Sequence, residues 1–208
     1  MTRLPFIAGS TGAVGRTLVA EAANKDLKLV AHVRPHPGVS RGSYDRKFHL
    51  HDNAALVREL KGCTTIVQLI GTMRKRFASG DTYEASDIGT TKLLMDGARE
   101  AGSIDHVVLL SSVGAGSPMG AYLKAKAQAE RLVRDSGIPY TIFRPSVFIG
   151  AGHHVNRLVQ GVSGLFVRYR PIHVNVLAHA ILRSAVKREP LNEILEGASL
   201  WDWVDRVT

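Results

Sequence analysis

The chain has 208 residues, 45% of them hydrophobic and 22% charged. That suits one soluble globular domain, and no apolar run nears the ~18 residues that a membrane span needs. Its net charge of +9 is spread along the chain, with 15 basic and 10 acidic side chains in residues 1–104, so neither a basic tail nor a specific nucleic-acid site is expected. A single cysteine, Cys63, excludes an internal disulfide; together with a start, "MTRLPFIAGSTGAVG", that lacks a leader-like pattern, it gives a cytoplasmic protein as the expectation.

In chain order, "LPFIA" predicts a first strand and residues 13–24 a helix. "LKLVAHV" (27–33) is a second strand, followed by the turn-rich "RPHPGVSRGS". "RKFHL" is a short third strand, and "DNAALVRELKG" a helix started by Asp52 or Asn53 and stopped by Gly62. "TTIVQLI" is a fourth strand, with Cys63 a plain residue at its start. Residues 81–102 form a long helix closed by Gly102, "DHVVLLSS" a fifth strand, 119–137 a helix and "YTIFRP" a sixth strand. Beyond it come a helix in "VNVLAHAILRSAV", a late strand in "NEILEG" and a closing helix in "SLWDWVDRV". Continuous apolar strands, each followed by a helix, predict a doubly wound α/β fold with a parallel sheet. Ligands of such folds lie outside the carboxyl ends of the strands.

Those ends carry the chemistry. Gly9, Gly12 and Gly15 lie between the first strand and its helix, where exposed helix N–H groups attract a pyrophosphate and absent Cβ atoms let it approach. Arg34 follows the second strand, and no acidic residue lies between Asp26 and Asp45. An acid there would receive the ribose of NAD, whereas an arginine accommodates the 2′-phosphate of NADP; NADP(H) is therefore expected over NAD(H). Tyr122 and Lys126 are spaced i, i+4 on one helix face, and a neighbouring ammonium makes a tyrosine a better acid–base catalyst. Ser111 and Ser112 end the fifth strand, and since they project to opposite sides only one can clamp a substrate carbonyl. The histidines lack metal-ligand spacing, so no metal is expected. His153 and His154 stand near the substrate side, while His173 and His179 belong to the start and body of a late helix. Arg168 and Arg170 either line the same mouth or occupy exposed strand positions, and Arg74–Arg76 read as a solvated loop.

Taken in order, "FIAGSTGAVGRTLV", Arg34, "VQLIGTMRK", "LLSSVGA", Tyr122-x-x-x-Lys126, "SGIPYTIFRP" and "RPIHVNVLAHAI" resemble the short-chain dehydrogenases/reductases. More narrowly, they resemble the atypical NAD(P)H-binding branch that includes NmrA-like and Tat-interacting-protein-like oxidoreductases. The resemblance covers nearly the whole chain. It implies a Rossmann fold with a small C-terminal substrate lobe, from about residue 146 of a single domain spanning 1–208. It also implies Gly9, Ser10, Thr11, Gly12, Ala13, Val14 and Gly15 around the pyrophosphate and ribose, and Arg34 at the 2′-phosphate. Ile70 and Gly71 would lie beside the adenosine ribose, and Pro145, Ser146 and Val147 beside the nicotinamide. Tyr122 would be the proton donor, Lys126 its partner, and Ser112 the favoured clamp over Ser111. Relatives often carry an acid after the third strand, near adenine; here "HLHD" puts His49 at about that point and Asp52 further on. The resemblance implies an NADPH-dependent oxidoreductase acting on a carbonyl-like small molecule. A non-catalytic NADP(H)-sensing protein with a regulatory partner is the alternative, and a homodimer is open in either case.

Overall fold

In the computed structural model, which describes residues 3–35, 42, 44–71, 82–150 and 167–208, the apolar runs become one parallel sheet. Its strands are β1 (Pro5–Ala8), β2 (Val30–Val33), β3 (Asp45–Lys47), β4 (Thr65–Gln68), β5 (His106–Leu110), β6 (Tyr140–Arg144) and, late in the chain, β9 (Glu193–Glu196). They lie in the order β3-β2-β1-β4-β5-β6-β9, every neighbouring pair parallel. Two short strands, β7 (Phe148–Ile149) and β8 (Ile172–His173), pair separately. The helices are α1 (Ala13–Asn24), α2 (Asn53–Leu60), α3 (Thr90–Ala101), α4 (Gly120–Asp135), α5 (Val174–Lys187) and α6 (Ala198–Val207).

Strand alternation explains the double winding. Phe6, Val107, Leu109 and Ile142 join the core beneath α2 and α3, while Ile7, Val108, Leu110 and Phe143 join the opposite core with α1, α5 and α6. Successive side chains of a strand point to opposite faces, so a strand apolar throughout needs helices on both. Each large side chain fully buried in this way, such as Phe6 or Phe143, contributes about 1.5–3 kcal/mol. On the second face Trp203 adds an indole N–H that donates to the Ala180 carbonyl at 3.1 Å.

The strands are shorter than the apolar runs, for local reasons. The predicted second strand begins at residue 27, yet Leu27 N–H donates to the Ala22 carbonyl at 2.9 Å and Asp26 is left-handed, so this stretch closes α1. The third strand ends at Lys47, where Phe48 turns inward and its carbonyl meets the His32 ring. The long helix predicted from residue 81 opens instead as a π-helical turn, Glu84–Gly89. Thr90 and Thr91 donate their hydroxyls to the carbonyls of Ala85 and Asp87, and such side-chain bonds compete with the regular helical ladder. Asp52, the predicted helix start, caps α2 by accepting from Ala55 N–H at 3.0 Å.

Candidate functional site

The glycine loop is built around close backbone approach. Gly9 has φ +92°, and a Cβ there would stand 2.9 Å from the Leu69 carbonyl carbon at the end of β4. At Gly15 an added Cβ would lie 2.2 Å from the Gly9 carbonyl oxygen, so the start of α1 packs directly on the turn. Gly12 differs: its φ is −72°, and the nearest atom to an added Cβ is the Gly9 carbonyl oxygen at 3.4 Å. Ser10 is buried, its hydroxyl donating to the His32 carbonyl at 2.6 Å and so tying the loop to β2. Thr11 is exposed, Ala13 half-buried, and Val14 belongs to the core. No side chain caps α1, and its first turn carries no acid. An uncapped helix N-terminus behind a loop stripped of Cβ atoms fits a pyrophosphate.

Beside the loop opens a cavity of about 530 Å³ lined by Gly9, Thr11 and Gly12 and, across the strand tips, by Arg34, Ile70 and Gly71. Its far wall is made by His49, Leu50 and His51, between β3 and α2. Asp52, expected near the adenine, spends its carboxylate on the α2 cap and is not among the lining residues. His49 and His51 hold that wall instead, their rings stacked 5.0 Å apart. His32 also reaches the cavity; burial, then the nearby Arg34 and His49, depress its pKa, against the Phe48 carbonyl. Arg34 itself is exposed at the end of β2.

At Gly71 the cavity meets the second group. A Cβ on Gly71 would stand 2.8 Å from Lys126 Nζ and 3.0 Å from Asp87 Oδ1. Lys126 is buried; its ammonium pairs with Asp87 at 2.8 Å, donates to the Leu110 carbonyl at 3.3 Å, and lies 5.9 Å from the Tyr122 ring centre. The π-helical turn carries Asp87 to this point, 1% exposed. Tyr122 is half-buried, with the Tyr83 ring 5.6 Å away. Sequence reasoning missed Asp87; the signal for it was the paired threonines that distort the helix after it.

The two serines part company, as alternation requires. Ser111 is buried and donates to Glu130 Oε1 at 2.5 Å, while Ser112 is half-buried at the strand tip. Glu130 in turn receives a two-pronged contact from Arg144, at 2.8 and 2.6 Å, and Arg144 reaches Glu196 at 3.0 Å. These contacts, Glu130 first, hold the Arg144 guanidinium charged. Glu196 also pairs with the half-exposed Arg168 at 2.6 Å. Pro145 is buried and Val147 exposed; between them Ser146 donates to the carbonyls of Tyr169 and Arg170. Arg170 lies on the Trp201 ring, 3.9 Å from its centre.

His153, His154 and Arg74–Arg76 lie outside the described residues. His173 precedes α5, and His179 within it bonds Glu21 and the Val207 carbonyl. Cys63 is buried and donates to the Glu59 carbonyl; burial pushes its thiol up to about 12, which removes it as a nucleophile. Among the described residues no cluster could hold a metal ion.

Residues 9–186 match the family described as NAD(P)H-binding. Over 156 residues the chain is 33% identical to Protein FMP52, mitochondrial, of Debaryomyces hansenii, covering 70% of this chain and 66% of that protein. Over 148 residues it is 28% identical to a (4-alkanoyl-5-oxo-2,5-dihydrofuran-3-yl)methyl phosphate reductase of Streptomyces griseus, covering 69% and 48%. Among solved structures it is similar to a short-chain dehydrogenase/reductase superfamily protein of Agrobacterium tumefaciens with bound NAD. The TM-score there is 0.74 at 18% identity, over 94% of this chain and 78% of that one. The chain spans about half to two thirds of the length of the curated relatives it matches.

Proposed function

Because the chain belongs to the NAD(P)H-binding family, we propose that it is an NADPH-dependent oxidoreductase of the atypical short-chain dehydrogenase/reductase type, reducing a carbonyl-like small molecule. The observation that carries this reading is Gly71, which lines the nucleotide cavity and also touches the Lys126–Asp87 pair. The cavity therefore ends beside the Lys126–Asp87 pair, with Lys126 on the helix that carries Tyr122. Gly9, Ser10, Thr11, Gly12, Ala13, Val14 and Gly15 would hold the pyrophosphate and ribose, Arg34 the 2′-phosphate, Ile70 and Gly71 the ribose edge, and Pro145 to Val147 the nicotinamide. The bound nucleotide supplies the hydride.

The chain's own residues supply the proton and the orientation. Tyr122 would give its phenolic proton to the substrate oxygen. Lys126, paired with Asp87, would offset the negative charge left on the phenol oxygen. Ser112 would donate to the same oxygen, since Ser111 is committed to Glu130. In a cytoplasmic protein, residues from about 146 onward would contribute a small substrate lobe, although β9, α5 and α6 among them complete the main sheet and its second core. One observation favours the sensor alternative. An ammonium already bonded to a carboxylate and a carbonyl is less free to tune a phenol, and such a protein would bind NADP(H) and a regulatory partner without turnover. Tyr122→Phe decides between them. Assayed by NADPH oxidation against aldehydes, ketones and quinones, it should lose about 10²–10⁴-fold in turnover while nucleotide affinity holds. Wild-type turnover in that variant overturns the mechanism; binding without any turnover in wild type moves the sensor ahead.

A further inference from the structure

Resting on the NADP(H) reading above, we infer that His49 and His51 are a second, protonation-dependent part of the 2′-phosphate site, so that the preference for NADPH over NADH grows as pH falls toward 6.5. Arg34 alone would be a sufficient fixed charge at the end of β2. The cavity does not leave it alone: beyond the end of the neighbouring strand β3 it is lined by two imidazoles stacked at 5.0 Å. Arg34 and His49 lie close enough to bear jointly on the buried His32, and together they oppose a positive charge on it. Arg34 is the fixed charge at this end of the cavity, and the two exposed histidines are the groups placed to add to it.

Among the described residues, the groups around this pair come from three elements. From β2 come His32 and Arg34, and from their own connection Lys47 behind and Asp52 ahead. Asp52 is turned to the first turn of α2, where it accepts from Ala55 N–H. Among the described residues, the end of β4 and the start of the helix after it line the cavity with the uncharged Leu69, Ile70, Gly71, Ala85, Thr90 and Leu93. No carboxylate is among the described lining residues. An acid at this wall would take ribose or adenine donors and repel a phosphate. Two imidazoles in its place leave an anion as the fitting occupant.

Imidazoles change charge between about pH 5 and 8, and a nearby dianion favours their protonated form. Two like cations 5.0 Å apart repel, so an arriving phosphate is what allows the pair to take up its full charge. NADPH binding should then draw protons from solution, whereas NADH binding should not. A phosphate monoester has a second pKa near ~6, so the effect has a lower bound: below about pH 6 the phosphate itself protonates and the gain fades.

The experiment measures NADPH and NADH dissociation constants by calorimetry from pH 8 to 6, each in two buffers of different ionisation enthalpy. It uses wild type, His49→Asn/His51→Gln and Arg34→Asp. Expected for wild type is a tightening of NADPH binding by several-fold per pH unit between 8 and 6.5, bounded by tenfold per proton taken up, with NADH flat. The double histidine variant should keep a preference for NADPH at pH 8 through Arg34 but lose both slope and proton uptake. Its melting temperature in the absence of nucleotide should match wild type, since both side chains are exposed. An NADPH preference that is flat with pH in wild type, or a slope that survives in the double variant, overturns the role of the histidines and leaves Arg34 standing. No preference at pH 8 in wild type instead overturns the Arg34 assignment; a histidine-dependent preference emerging nearer pH 6.5 would still support the pair.

Discussion

Replacing the loop glycines one at a time separates the packing of the cradle from the ligand it is shaped for. In Gly15→Ala the new methyl would stand 2.2 Å from the Gly9 carbonyl oxygen and 2.8 Å from Ser10 Cα. Both are backbone atoms, so relief means moving the turn by about 1 Å, an overpacking that costs about 1–3 kcal/mol. A 2.2 Å approach to backbone puts the cost in the upper part of that range, about 2–3 kcal/mol; alanine inside a helix returns up to ~1 kcal/mol, which leaves a net loss of about 1–2 kcal/mol. For a chain of 208 residues that is a fall of roughly 2–8 °C in the nucleotide-free melting temperature. In Gly12→Ala the methyl meets nothing nearer than 3.4 Å, at a φ of −72° that alanine adopts freely. Here the melting temperature without nucleotide should stay within about 2 °C of wild type, because the weaker helix start of alanine is offset by its lower unfolded-state entropy. The methyl would nevertheless occupy the path of the pyrophosphate, and affinity for NADPH should fall at least about tenfold, roughly 1.4 kcal/mol. Thermal shift with and without NADPH reads both quantities from one plate. A Gly12→Ala protein stabilised by NADPH as strongly as wild type would refute the placement of the phosphates on this loop. A Gly15→Ala protein melting with wild type would refute the close packing of α1 on Gly9.

Three further outcomes are expected. Arg34→Asp should erase or invert the preference for NADPH over NADH in competitive binding, while overall stability is unchanged because Arg34 is exposed. Glu130→Gln should lower stability by about 1.5–3 kcal/mol in urea titration, since the half-buried guanidinium of Arg144 loses its principal charged partner and keeps only Glu196. His106 is buried, and desolvation first, then Arg3 and Arg188, lower its pKa to about 4. A folded-state pKa below the unfolded ~6.5 means the neutral ring is favoured by folding, so its contribution is complete above pH 6.5 and declines as pH falls toward 4, with about 2 kcal/mol gone by pH 5. Urea midpoints at pH 7 and pH 5 check this, and equal midpoints would count against the assignment.

What could be read from the chain was what depends on neighbours in sequence. The β1–α1 loop was legible because glycines spaced three apart have few other uses between a strand and a helix, and two of them, Gly9 and Gly15, turn out to be fixed by backbone contacts. The parallel sheet was legible because β4 and β5 are built on the unbroken apolar runs Ile66–Val67 and Val107–Leu110, and both strands are buried at every position. Asp52 shows where local reading ran out: an aspartate suits a helix cap and a cofactor contact equally well, and the α2 cap holds it. Asp87 was hidden because its placement depends on the threonine hydroxyls that turn one stretch of α-helix into a π-turn. The Ser111–Glu130–Arg144–Glu196 chain was hidden for another reason. Its members come from β5, α4, β6 and β9, and only the sheet order makes them neighbours.

That chain also explains why the proposed proton donor can sit near the surface and still be held in place. Tyr122, Lys126 and Glu130 follow one another at intervals of four along α4, so one helix face carries all three. At one end Glu130 is locked to Arg144 and Ser111, which fixes α4 against the tips of β5 and β6. In the middle Lys126 is locked to Asp87 and the Leu110 carbonyl. Tyr122, half-buried at the other end, inherits its position from two buried charge contacts behind it. It does not depend on its own burial. The alternation of Ser111 and Ser112 then divides the tip of β5: the Ser111 hydroxyl belongs to the charge chain that holds the helix, while Ser112, half-buried, projects from the strand on the other side.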